Sequence, residues 1–424
     1  MTLAQAFARR LQSAPSLRPF RHRDFRLLWC GAFVSFIGSW VQNVAQGWLV
    51  YYQLDQGIER LAFVAFCSMA PITALGPFAG ALADTLNKRN VLALTQLGYA
   101  IGALFLATAT WLGFVQYWHV VLVALLFGTL NTIEMPARQS IVGTIVPADD
   151  LSAAIPLNAM TFNLARVLGP AVGGLLLQQF GPAVCYTING VSYFALLGAA
   201  LALRTNLDAH PRSPQPIRDL VLEGMKYTFR DARLRTLFLM EATVSIFALF
   251  YLGLMAAIAK DMLGLDERGL GFAMTSIGVG AISGLILVSQ LAHLPIKATL
   301  CRVAMTTMGL TLIALSMVRV PALAFGLFAL AGASGVIQFN TTNVLFQSIS
   351  PPYLRGRVMA MHLWALSGLT PIGSLLFGWL AHRTSLPHSL AVGGSVVLIG
   401  AAFSWINRRH LPNSIQDRSS TESP

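Results

Sequence analysis

The chain has 424 residues, with 29 Lys and Arg against 17 Asp and Glu, a formal net charge of +12. Charged residues make up 11% and hydrophobic residues 55%, and the mean hydropathy is +0.64, where a soluble domain carries about 25% charge. Too little polar surface remains to cover a soluble core of this size, so the composition excludes a soluble enzyme and a disordered chain and suits one solvated by lipid. It also excludes a nucleic-acid binder, because the positive residues are scattered through short polar stretches rather than gathered in a basic stripe.

A membrane-spanning helix needs about 20 mostly apolar residues. In chain order, twelve such spans are predicted at 27–52, 61–83, 90–113, 117–139, 152–178, 182–203, 236–259, 268–293, 298–318, 321–346, 357–381 and 387–407. The strands of a β-barrel would be about ten residues long with alternating polarity, so the expected fold is an all-α membrane protein. An Arg-rich arm, 1–26, precedes the first span; it has no apolar core or cleavage site of a signal peptide, so the first span is expected to act as its own insertion signal. A polar loop at 204–235, with Pro211, Pro214, Pro216 and an amphipathic run at 220–229, separates two six-helix bundles, 27–203 and 236–407, and a tail follows at 408–424. If both termini are cytoplasmic, 23 Lys and Arg lie on the cytoplasmic side and five outside, which favours that orientation.

The two halves resemble each other. Residues 54–63 match 263–272 at an offset of 209, which also aligns Lys88 with Lys297, and 145–147 match 349–351 at an offset of 204. Weak internal repetition of this kind marks two-lobed transporters. Cys30, Cys67, Cys185 and Cys301 fall in apolar stretches, without metal-ligand spacing or a disulfide framework, and are expected to be small buried hydrophobes.

The loop after the second span reads Gly80-Ala-Leu-Ala-Asp84-Thr85-Leu-Asn87-Lys88-Arg89, and the fifth span contains Ala165-Arg166-Val-Leu-Gly169-Pro170-Ala-Val-Gly173-Gly174. The first resembles the signature loop G-x-L-A-D-R-x-G-R-R/K of the major facilitator superfamily, with Thr85 in place of Arg and Asn87 in place of Gly. Asn tolerates the left-handed conformation a tight turn can need, which makes the second change mild. The second motif resembles G-x-x-x-G-P-x-x-G-G, associated with antiporters of that superfamily, with Ala165 in the first Gly position. Helix 1 (Gly38 to Val50), Pro136 to Gln139 and Leu354 to Val358 narrow the resemblance to a bacterial subgroup labelled transmembrane secretion effector, with siderophore (enterobactin) and macrolide exporters among its relatives. The resemblance covers roughly residues 20–408 and implies proton-driven efflux of a small molecule from the cytoplasm, through an inner-membrane protein with both termini inside. It also implies a cytoplasmic gate formed by Gly80, Asp84, Lys88, Arg89, Arg355 and Arg357, with Asp84 docking at the two later arginines. The small residues of the fifth span would pack against Gly278, Gly280, Ser283 and Gly284 of the eighth.

Ionisable groups inside a membrane are costly and therefore functional candidates. Glu241 has no charged residue within four positions along its helix and is the first candidate for proton loading; Glu134 is expected to pair with Arg138, four residues on, or with Arg166. The spans that line the cavity in the resembled fold nominate Gln42, Gln46, Phe250 and Asn340 for substrate contact, while His362 is expected to be a packing histidine. The partners expected are a small-molecule substrate, protons and membrane lipids, with no nucleic acid, no cofactor, no metal and a monomeric state. No nucleotide-binding loop, H-E-x-x-H or G-x-S-x-G pattern is present in the sequence, so ATP-driven transport and enzyme chemistry have no constellation to rest on. An uptake symporter of the same fold, or a lipid or lysolipid flippase, is the alternative.

Overall fold

The computed structural model describes residues 15–84, 86–208 and 217–408. The residues of the arm before 15, part of the central loop and most of the tail, all named above, lie outside the described residues, as does Thr85. Every regular element described is helical. Helix α1 (Arg23–Trp48) runs on through a π-helical turn, Leu49–Gln53. It is followed by α2 (Gly57–Asp84), α3 (Lys88–Trp111), α4 (Tyr117–Ile145) and α5 (Ala148–Ala202). The amphipathic α6 (Ile217–Arg230) leads to α7 (Ala232–Phe247), whose continuation ends in a second π-helical turn, Ile258–Met262. The last elements are α8 (Glu267–Gln290), α9 (Lys297–Met317), α10 (Pro321–Ile349), α11 (Arg355–Leu363), α12 (Thr370–Arg383) and α13 (Leu386–Ile406).

Among the described residues, eleven stretches are long and apolar enough to cross a membrane, against the twelve expected. The difference lies in α5, whose 55 residues hold the fifth and sixth predicted spans with no loop between them. At about 1.5 Å per residue it is more than twice as long as a bilayer core of about 30 Å. Its helical geometry fails at Gly181, with φ 75° and ψ 178°. That conformation suits a residue without Cβ, and Pro182 follows it.

Large apolar side chains face outward along whole helices. Leu94, Leu97, Ile101 and Phe105 form an exposed stripe on α3, while Leu92, Ala103 and Leu106 of the same helix are fully buried. A helix apolar on every side is stable only where lipid replaces water.

The chain divides into two compact units, Met1–Gln46 with Phe78–Pro214, and Gly47–Pro77 with Gln215–Pro424. Residues 47–77 pack with the later part of the chain. Small residues explain this. Ala62 and Ala65 of α2 sit against Gly378 and Gly253, the Thr73 hydroxyl donates to the Gly368 carbonyl at 2.7 Å, and the Trp364 indole donates to the Thr73 carbonyl at 3.2 Å. The two π-helical turns are also joined: Tyr51 donates to Asp261, and the Lys260 ammonium lies 4.1 Å from the Tyr52 ring centroid. Within the first unit, Asp24 of α1 accepts from the backbone N–H groups of Arg204 and Thr205, both at 2.9 Å, and from the Thr205 hydroxyl at 2.7 Å. This ties the end of α5 to the start of α1.

The sequence repeat recurs in the backbone. The π-helical turns begin at Leu49 and Ile258, 209 apart, and the positive φ of Asp55 recurs at Gly264, again 209 on. Helices α4 and α10 each have 29 residues and start 204 apart. Gly169 packs on Ile37 and Trp40 of α1, and Gly373 packs on Ile246 of α7, the corresponding positions at the two offsets.

Two predictions follow from this packing and capping. A Cβ at Gly373 would run into the Ile246 carbonyl, whereas one at Gly326 meets nothing within 4 Å. Gly373→Ala is expected to cost about 1–3 kcal/mol by overpacking and Gly326→Ala to be neutral, read as thermal unfolding in detergent. Asp231 caps α7, accepting from the N–H groups of Arg233 and Leu234 and from the Arg233 guanidinium. Burial pushes its pKa up, but these hydrogen bonds outweigh burial and hold the carboxyl below the usual range. Its contribution is therefore present above the ordinary carboxylate pKa and lost as pH falls through the depressed one. Asp231→Ala should cost about 1 kcal/mol near neutrality, and the gap from the parent chain should close in strong acid.

Candidate functional site

The loop after α2 is built on capping. Asn87 is the N-cap of α3, with its side chain accepting from the Asn90 N–H, and its backbone is extended at φ −65°. The left-handed turn considered for it is not what this residue supplies. Asn87 also donates to Asp208 at 2.8 Å, the Lys88 N–H donates to the Leu207 carbonyl at 3.1 Å, and the Arg89 guanidinium donates to the Thr205 carbonyl at 3.0 Å. The basic end of the motif thus grips the segment after α5. Gly80 and Asp84 lie in α2, and the Asp84 side chain is outside the described residues. Arg357, at the start of α11, forms an ion pair with Glu223 of α6, and Arg355 is exposed. The amphipathic helix is seated there because Gly224 lets it lie against the Arg357 backbone.

In the motif of α5, Ala165 is fully buried and Gly169 and Pro170 are buried with Gly173 and Gly174. Gly169 faces Ile37 and Trp40, and Gly173 faces Val41 and Val44, all on α1. In α8, Gly280 meets Ala329 and Gly284 meets Ala333, both on α10, since small residues license close approach without naming the neighbour.

Two buried carboxylates organise the ionisable chemistry. In the first unit Glu134 lies 3.1 Å from Arg138, whose guanidinium carbon sits 4.5 Å from the Phe36 ring centroid. Tyr99 lies near the same carboxylate. Tyr99 stacks on Tyr193 at 5.0 Å, and the Tyr193 hydroxyl accepts from Asn189 at 3.1 Å. Arg166 is half-buried on α5.

In the second unit Glu241 of α7 and His362 of α11 form a pair sealed from solvent, with side-chain exposures of 1% and 0% and a His362 Nδ1 to Glu241 Oε2 distance of 2.7 Å. The Thr342 hydroxyl of α10 lies 3.2 Å from Glu241 Oε1. His362 Nε2 faces the Asn343 amide nitrogen at 3.2 Å, and Gln347 donates to Asn343 Oδ1 at 2.7 Å. The imidazole stacks on Phe339, with centroids 5.4 Å apart, and lies 5.2 Å from Phe346. Expected as a packing histidine, His362 is the direct partner of the first proton-loading candidate. A carboxylate bonded to an imidazole in a dry interior changes the local charge by one unit when a proton from outside the pair is taken up or released.

The substrate-contact candidates divide. Gln42 is buried and accepts from Asn189 at 2.6 Å, and Phe250 is buried in a stack with Phe377, centroids 4.0 Å apart. Both side chains are engaged with neighbours inside their own units. Asn340 is half-buried and donates to the Val336 carbonyl of its own helix at 2.9 Å; Gln46 is half-buried. Among the described residues, no cluster of three or more His, Cys, Asp or Glu could hold a metal ion.

A family model described as transmembrane secretion effector matches residues 14–423. The staphyloferrin A transporter of Staphylococcus aureus (strain NCTC 8325 / PS 47) is 22% identical over 382 residues, covering 89% of this chain and 95% of that protein. Macrolide efflux protein A of Streptococcus pyogenes is 22% identical over 390 residues, covering 88% and 93%. Among solved structures, a bacterial homolog to the human lysosomal transporter Spinster, inward-facing and unoccupied, is similar with a TM-score of 0.67 at 15% identity, covering 92% of this chain and 98% of that one. These relatives are transporters and not enzymes.

Arg138→Met would strand the buried Glu134 carboxylate. It should cost about 3–5 kcal/mol of stability, with the double variant Glu134→Gln, Arg138→Met recovering most of the loss, measured as thermal unfolding of the purified protein.

Proposed function

Because the chain belongs to the transmembrane secretion effector family of major facilitator-type transporters, we propose that it is a secondary active exporter in which inward proton flow drives a small amphiphilic molecule out of the cytoplasm. The substrate class is that of the named relatives, a siderophore, a macrolide or another drug. Transport proceeds by alternating access, with the substrate open to one aqueous side at a time. We read α5 as two crossings meeting at Gly181, which raises the eleven candidate stretches to twelve crossings and puts both termini on one side of a bacterial inner membrane. The excess of Lys and Arg makes that side the cytoplasm. The protein works as a monomer among membrane lipids.

The observation that carries the proton coupling is the sealed Glu241–His362 pair. A lone ionised carboxylate in a dry interior is strongly disfavoured, and a partner able to hold the balancing proton makes loading and release reversible. Glu134 has its cation in place four residues along and serves as the structural or charge-switching pair of the first unit. The fifth-span motif favours export over uptake, and flux in oriented vesicles separates the two.

The test uses inside-out vesicles with a pH gradient and two probes, a macrolide and an iron-free siderophore. Gradient-dependent accumulation of either, abolished by a protonophore, is the expected result. Glu241→Gln should reduce it about 100-fold, the usual worth of a positioned proton-transfer group, at an unchanged amount of folded protein. Full coupling in that variant would exclude Glu241 from the role, and proton-driven accumulation in right-side-out vesicles would make the protein an uptake symporter.

A further inference from the structure

The hydrogen bonds around His362 have a direction. Gln347 donates to Asn343 Oδ1 at 2.7 Å, so the oxygen of that amide is engaged and its N–H points at His362 Nε2, 3.2 Å away. An N–H aimed at Nε2 requires a lone pair there. The single proton of the neutral imidazole therefore sits on Nδ1 and is donated to Glu241 Oε2 at 2.7 Å.

The ring is also placed to accept a second proton. The Phe339 ring is stacked on it at 5.4 Å with an interplanar angle of 18°, the Phe346 ring is tilted to it by 41° at 5.2 Å, and the Glu241 carboxyl group adjoins it at 2.7 Å. Nε2 is the ring nitrogen turned toward the outside: Asn343 is half-buried and Gln347 is exposed, one helical turn further toward the end of α10. Other titratable or charged groups around the pair come from α9. Cys301 is near enough to feel the charge of Glu241, and Arg302 turns its guanidinium to the Ser404 carbonyl at 3.1 Å and toward the Arg408 carbonyl. From α10 the facing groups are Thr342 and Asn343, which are uncharged.

We propose that His362 Nε2 is the seat of the coupled proton and that Asn343 is a positioning residue that reports its arrival to the exposed end of α10. This rests on the proton-coupled reading above. A proton on Nε2 turns that atom from acceptor into donor, so the Asn343 amide must rotate to present Oδ1. Its N–H then confronts the Gln347 N–H, the bond between the two amides breaks, and Gln347 is released. No covalent bond is made or broken besides N–H, and the proton comes from and returns to water. A buried change of one charge is thereby converted into a change of hydrogen bonding at a surface position one turn away.

The experiment is nitrogen NMR of the full-length protein in lipid nanodiscs with labelled histidine and glutamine side chains, His362→Gln and Gln347→Glu assigning the two signals by loss. In the parent chain at alkaline pH the proton is expected on Nδ1 with Nε2 bare. On acidification Nε2 should gain a proton, and the Gln347 amide signal should shift with the same midpoint. Asn343→Asp offers an acceptor in either orientation and should raise that midpoint by about one pH unit or more, about tenfold in proton affinity. Asn343→Leu should uncouple Gln347 from the titration and let both neutral tautomers of His362 coexist. A proton on Nε2 at alkaline pH, a Gln347 signal indifferent to the titration, or an unmoved midpoint in Asn343→Asp would overturn the proposal. The vesicle assay on the parent chain keeps the two readings apart. Coupled export without this titration sinks the relay alone, and the titration without coupled export sinks the export reading and leaves the relay standing.

Discussion

A charge placed among apolar helices must find its counterpart inside the protein, because lipid offers none. The contact of 2.7 Å between Glu241 and His362 is the clearest expression of that constraint here. It holds α7 to α11, and through Thr342 and Asn343 it engages α10 as well. A buried polar pair of this kind adds little net stability, since desolvation offsets the attraction. Glu134 and Arg138 meet the same constraint by a local route, along one turn of α4. One unit thus solves the problem within a helix and the other between helices, and only the second solution can change when helices move.

Small residues do the remaining joining. Without a hydrophobic drive between helices in lipid, close backbone approach supplies the attraction through dispersion and packing. Gly169 on α1, Gly373 on α7, and Gly280 with Gly284 on α10 are the visible contacts. That Gly169 and Gly373 make equivalent approaches in the two sequence repeats ties the duplication to packing as well as to spelling.

Much of this fold was legible in the sequence because its signals run along the chain. Apolar length located the helices, the repeat offsets reappear as matching π-helical turns, and the spacing of Glu134 and Arg138 announced their pairing. What the sequence withheld depends on rotation about helix axes. In a soluble helix the polar face reveals which side is buried; in α7 apolar residues surround Glu241, so nothing in the spelling turns it toward a histidine 121 residues away. The same blindness hid the engagement of Gln42 by Asn189, the burial of Phe250 on Phe377, and the adherence of residues 47–77 to the later unit. One usable signal existed for His362: a histidine in a span without a carboxylate has few partners, and Glu241 was the carboxylate still lacking one.

The missing loop at Gly181 bears on how the molecule can be engineered. Helical structure continues on both sides of that single residue, so no slack backbone exists there into which an epitope, a protease site or a fluorescent reporter could be spliced. Such grafts belong where the chain is already irregular and exposed, as around Gly113 and Phe114 between α3 and α4, because inserted residues are best tolerated where they displace no hydrogen-bonded backbone.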